Sequence, residues 1–249
     1  MCLNSSTENL AYNTLRQHSE YYEDCDLYEV STGTTELLSR FASNVYISKA
    51  AATMAPRADG TDDQRIVLEP DSIWSDSTRP VDLSYVAGDT KVITLYPEQA
   101  FCHYTVKILH VDNADQVSGI TAALSGQAGG FYPTARRLTE ETVTIPFEMH
   151  LHADEATVNG DLRTFGHNPT GGDDQSHLIT VYATMRNGAK YYITYDVTEQ
   201  IHSAANPREL LIVIDNLALP EAIGDSGFGP VVDEWQDDEV VDILMNDYL

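Results

Sequence analysis

Asn187-Gly188 stands between two runs of alternating β-branched and aromatic residues, and this stretch narrows the possible fold further than any other. Before it, Ile179, Val181, Ala183 and Met185 alternate with Thr180, Tyr182 and Thr184. After it, Tyr191, Ile193, Tyr195 and Val197 alternate with Lys190, Tyr192, Thr194 and Asp196. A period of two sends one set to a buried face and the other toward water. Asn-Gly accepts the positive φ angles of a type I′ turn, so residues 177–201 read as a β-hairpin with strands expected to be central in their sheet. Thr198, Glu199, Gln200 and Ile201, at its end, read as a single helical turn or connector. A two-stranded hairpin is marginal alone in water, so other strands must pack on it.

The same period recurs along the chain. Residues 66–70, 81–86, 92–97, 104–111, 118–125, 142–151, 158–165 and 210–214 read as strands, and Val143, Ile145, Phe147, Met149 and Leu151 line one face of their segment. Cys2-Leu3 and Tyr28-Glu29-Val30 add short strands, and the glycine-rich residues 126–130 read as a connection. Leu37, Leu38 and Phe41 recur at helical spacing behind Thr34 or Thr35, which predicts one short amphipathic helix. Residues 50–64 read as an exposed loop, and Pro97 followed by Glu98-Gln99 marks a boundary. Many strands separated by turn signals predict an all-β chain of β-sandwich type, with an N-terminal domain over 1–97 and a C-terminal domain over 98–249. Cys2-Leu3 followed at once by the turn-forming Asn4-Ser5-Ser6-Thr7 resembles a domain interior, so Met1 is expected to interrupt a strand of an incomplete first domain. The alternative is that Cys2 is the lipid-bearing residue of a lipoprotein.

Composition excludes whole classes of function. The 14 Lys and Arg against 39 Asp and Glu give a formal charge of −25, which leaves nothing to neutralise nucleic-acid phosphates and disfavours direct attraction to anionic lipid. No apolar run reaches the roughly 20 residues that span a bilayer as a helix. Cys2, Cys25 and Cys102 lie too far apart for a compact metal pattern; Cys102 reads as a buried thiol, and a Cys2–Cys25 bridge stays open.

Each motif with a chemical reading has a plainer one. Residues 223–230, IGDSGFGP, resemble the surroundings of a serine-protease nucleophile, but in the nearest match to that family's histidine segment, residues 121–125, Leu124 stands where the base belongs. His150 and His152 share a strand face near Asp154 at metal-ligand spacing, but the apolar series takes the other face, so they are expected to point to solvent. Residues 126–130 lack the lysine of a phosphate loop, and no carboxylate pair is singled out for acid–base work. No catalytic, cofactor or metal residue is therefore assigned, and the chain is expected not to be an enzyme. Tyr21, Tyr22, Tyr28 and Tyr132 would form the platform of the rival reading, a surface glycan-binding module or glycan-processing lipoprotein. The acidic run 233–243 reads as a solvated face whose Trp235, Val240 and Ile243 dock as a closing strand.

Asn4 to Asn9, ITAALSG at 120–126, Asn159-Gly160 with RTFG at 163–166, DVTEQI at 196–201, residues 217–220 and the segment from Val232 to Ile243 stand in an order that resembles the Bacteroidales FimB-like fimbrial anchor and fimbrillin-like group. That group includes a widespread domain of unknown function. The resemblance implies two transthyretin-like β-sandwich domains, here with the first incomplete. It also implies export to the outer membrane as a lipoprotein, and a non-catalytic role as anchor or accessory subunit joined to other fimbrial subunits by β-strand addition. By that resemblance the family's strand before Asn4, its signal peptide and its lipidated cysteine are expected upstream of Met1.

Overall fold

The computed structural model describes three early strands by their backbone and then residues 58–221, apart from 62–63, 77–87, 89, 133–135 and 168–174. The early strands are β1 (Cys2–Leu3), β2 (Leu10–Thr14) and β3 (Tyr28–Thr32). Then follow β4 (Arg65–Ile66), β5 (Trp74–Asp76), β6 (Glu98–Gln99), β7 (Cys102–Val111), β8 (Val117–Ala128), β9 (Gly130–Tyr132), β10 (Arg137–Leu138), β11 (Thr142–His152), β12 (Thr157–Thr164), β13 (Leu178–Met185), β14 (Lys190–Asp196), the helix α1 (Thr198–His202) and β15 (Glu209–Leu217). The described fold is all-β with one short helix.

The largest sheet runs β14-β13-β8-β11-β12-β7-β15, with β4 parallel on β11. Strand β11 turns the corner. Thr142 to Glu148 pair with β8, whereas Met149 to His152 pair with β12, so one strand serves both halves. Pro146, which has no N–H to give a ladder, lies in the stretch paired with β8, beyond a register shift between Val143 and Ile145. The curl turns apolar faces inward, where Val106, Ile108, Leu124, Ile145, Ile179 and Ile212 are buried in one cluster. Leu124 is central to it: it opposes Ile145 on one side and Ile179 on the other.

The predicted alternation holds where one face meets the core. Ile179, Val181, Ala183 and Met185 are buried, and β13 lies between β8 and β14. Strand β14, expected to be central, is instead the end of the sheet path. The turn also differs from a type I′. Neither Arg186 nor Asn187 takes a positive φ; only Gly188 does, at 85°. The Gly188 N–H donates to the Met185 carbonyl, and the Met185 N–H donates to Ala189 across a loop of three residues. This is the pattern of a type I turn closed by a G1 bulge. The Asn187 side chain accepts from the Ala189 N–H, holding the turn without leaving the usual φ range.

Residues 126–128 are strand rather than connection, because β8 runs on to Ala128 with every residue from Ile120 buried. A strand buried on both faces has little room, and Ala122, Ala123, Ser125, Gly126 and Ala128 fit it. Residues 92–96 form no strand: Val92 is 83% and Tyr96 77% exposed, and β-propensity without a partner makes no ladder. The expected helix over 35–42, the strand over 81–86 and the acidic run 233–243 lie outside the described residues.

Two smaller sheets, β1-β5-β6 and β10-β9-β3-β2, flank the large one. Strand β9 pairs with β3 and β4 with β11, so strands from before and after residue 97 share sheets. A second apolar cluster, Ile73, Phe101, Ala128, Phe131 and Phe165, packs at this junction, with Phe131 and Phe165 stacked at 6.1 Å.

Two substitutions test this account. Leu124→Ala is expected to destabilise the protein by about 2–5 kcal/mol in a denaturant titration. Gly188→Val should cost about 1–3 kcal/mol because a β-branched residue resists positive φ, whereas Gly188→Asn, which tolerates that region, should cost clearly less. Equal melting temperatures for the two Gly188 variants would refute the bulge.

Candidate functional site

Three features of the described surface carry chemistry: the outer edge of β15, a histidine cluster beside α1, and exposed aromatics near β5. Strand β15 pairs in parallel with β7 through alternate residues. The Arg208 carbonyl accepts from His103, which sets the parity: even-numbered residues turn their backbone groups to β7, and Glu209, Leu211, Val213 and Asp215 turn theirs outward. At Val213 the Gln200 side chain closes that edge, its amide nitrogen donating to the Val213 carbonyl and its oxygen accepting the Val213 N–H, both at 2.9 Å. Among the described residues no hydrogen-bond partner meets the outward groups of Leu211. The side chains of Leu211 (56%) and Val213 (39%) are themselves exposed.

Helix α1 holds this arrangement. The Asp196 carboxylate accepts from the Thr198 N–H, and the Thr198 hydroxyl accepts from the His177 N–H. Tyr195 crosses from β14 to donate to the Asn216 carbonyl, tying the two ends of the sheet together. Burial pushes its phenol pKa well up, which keeps the donor protonated.

His177 is fully buried at the start of β13, and its Nε2 lies 3.1 Å from Nε2 of His202, which is exposed at the end of α1. His167, half-buried just past β12, completes a near-equilateral group with ring centroids 5.0, 5.1 and 5.3 Å apart. Beneath it a buried chain runs from Gly166 N–H to the Thr164 hydroxyl, from that hydroxyl to the Gln127 amide oxygen, and from the Gln127 amide nitrogen to His177 Nδ1. Gly126 makes the space: a Cβ there would lie 2.4 Å from the Ser176 carbonyl and 2.7 Å from His177 Nδ1. The sequence reading passed over these histidines. One signal was available, since His177 and His202 bracket the hairpin and a hairpin brings its two ends together.

The residues singled out from sequence are dispersed. His150 and His152 are exposed on β11, as their alternation required. Tyr132 has the Arg137 guanidinium 4.2 Å over its ring, so that face is already covered. Tyr21, Tyr22, Cys25 and residues 223–230 lie outside the described residues, and of Tyr28 only the backbone is described. Cys102 is a free, half-buried thiol whose pKa burial pushes up to about 11. Exposed Trp74, which meets Phe101 edge-on at 5.8 Å, and Tyr96 are the aromatics that the sequence reading missed.

A family model described as a domain of unknown function, DUF5119, matches residues 1–148. No curated protein matches the chain. Among solved structures, a candidate adhesin from Bacteroides ovatus is 16% identical with a TM-score of 0.50, the alignment covering 88% of this chain and 74% of that one. A second from the same species is 10% identical with a TM-score of 0.46, covering 86% and 66%. The fimbrial anchor protein Mfa2 from Porphyromonas gingivalis is 15% identical with a TM-score of 0.39, covering 81% and 63%. The first of these likenesses establishes a shared fold.

Burial holds the His177 pKa at about 4, with smaller contributions from His167 and His202; Asp196 pulls the other way. A folded-state value below the unfolded one means that the unfolded chain takes up the proton first. Stability should therefore be full above about pH 6.5 and fall as the pH drops toward 4, by up to about 3 kcal/mol at about 1.4 kcal/mol per unit. Replacing His177 by Gln should flatten the dependence of Tm on pH across this window. Gly126→Ala should destabilise the fold and expose the His177 ring to solvent, readable from its NMR titration.

Proposed function

We propose, from the premise that this chain belongs to the DUF5119 family, a domain of unknown function, that it is a non-catalytic cell-surface subunit of the adhesin and fimbrial-anchor kind. Its assembly proceeds by strand addition. The observation that carries this reading is the outer edge of β15, where backbone groups point away from the sheet beside exposed Leu211 and Val213. An open edge with apolar side chains on it is a template for a strand from another chain. The sequence resemblance to FimB-like anchors supports the same reading, and the Bacteroides ovatus protein of like fold is itself described as an adhesin. On this reading the partners are other fimbrial subunits, the location is the outer surface, and membrane contact runs through a lipid anchor.

Gln200 gives the edge a gate. Its side chain occupies the two central hydrogen-bonding groups of Val213 and must leave before an incoming strand can pair there. Lysines at Leu211 and Val213 place charge on the edge without touching the ladder to β7. Deleting the gene in the cell that makes the protein is expected to reduce surface fimbriae in electron micrographs. The wild-type gene should restore them, and the Leu211→Lys/Val213→Lys variant should not. Full restoration by that variant, produced at normal levels, would remove the β15 edge from the mechanism.

A glycan-binding reading is favoured by one observation, the exposure of Trp74 and Tyr96. Micromolar binding on a glycan array, abolished by Trp74→Ala and by Tyr96→Ala, would shift the assignment to that class.

A further inference from the structure

We propose that His167, His177 and His202 form a binding site for a divalent transition-metal ion of the zinc class, with water in the fourth position. The argument starts from distances. With metal–nitrogen bonds of about 2.0–2.1 Å at tetrahedral angles, two imidazole nitrogens on one ion lie roughly 3.3 Å apart, and their ring centroids about 5 Å apart. The His177 and His202 Nε2 atoms are 3.1 Å apart, and all three centroid separations fall between 5.0 and 5.3 Å. Without an ion, the facing Nε2 atoms are joined by one shared proton, and the third ring is left beside them. Among the described residues no group of three ligand side chains is already placed for a metal. Binding must therefore swing the half-buried His167 ring onto the Nε2 pair.

The surroundings suit a ligand set. A metal-bound imidazole needs its other nitrogen protonated and donating to an acceptor, which fixes the ring and its tautomer. At His177 a half-turn of the Gln127 amide presents its oxygen, in place of its nitrogen, to Nδ1. The Thr164 hydroxyl then accepts from the Gln127 nitrogen. Gly126 is the residue that lets the buried ring stand there at all. The ion would join three elements: the end of β12, the start of β13 and the end of α1.

The full chain, stripped of metal with a chelator, is to be titrated with Zn²⁺ alone by calorimetry, and its Tm measured with and without the ion. One equivalent should bind and raise the Tm. Co²⁺ in its place should give the intense visible bands of tetrahedral coordination. His202→Ala and His167→Ala each remove one ring, and each should weaken binding at least tenfold while the metal-free variant still unfolds in one cooperative transition. Absence of saturable binding would overturn the proposal. So would undiminished binding in both variants, which would put the ion elsewhere, with exposed His150 and His152 the first place to look. Neither result bears on strand addition at β15, which is tested separately.

Discussion

The fold depends on β11 dividing its hydrogen bonds between two neighbours. A strand that paired with β8 along its whole length would extend a flat sheet and leave one apolar face in water. By handing its last four residues to β12, β11 rotates the second half of the path over the first. Apolar side chains from β7, β12 and β15 then meet those from β8, β11 and β13. Burial of both faces of β8 follows from this and from the second cluster behind it, and it demands the small residues found there.

Curling brings the two ends of the path, β14 and β15, close enough to be joined without a ladder. Side chains do the joining. Tyr195 reaches the Asn216 carbonyl, and Gln200 imitates one residue of a strand against Val213. Helix α1 is the link between the outer edge of β15 and the histidine cluster, since Gln200 faces β15 and His202 faces His177 two residues later. Whatever moves this single turn of helix touches both.

Much of the large sheet is legible in the sequence because a period of two survives wherever one face is buried. The hairpin, β7, β11, β12 and β15 could be read this way, and so could the helical turn after Val197. Reading failed where the pattern has another cause. At β8 both faces are buried, so the glycines that permit close packing looked like a loop. At residues 92–96 the residue types are right for a strand but no partner strand stands beside them. Strands β5 and β6 have only 3 and 2 residues and pair with each other across the long stretch between Asp76 and Glu98. Type I′ geometry was inferred from the dipeptide alone, whereas the number of loop residues decides the turn. The histidine cluster has no spacing signature because three separate elements supply it.

Parallel pairing of β7 with β15 joins residues such as His110 and Asp215, which are 105 positions apart. Emerging from the ribosome, β7 waits for nearly the whole described chain before its second neighbour exists. Loop-closure entropy for such a pairing must be met before any of its contacts form, which places β15 among the last elements to dock. Until it does, buried positions such as Val106 and Ile108 lie open beside an unpaired edge, in the state most exposed to chaperones, proteases and other copies of the same chain.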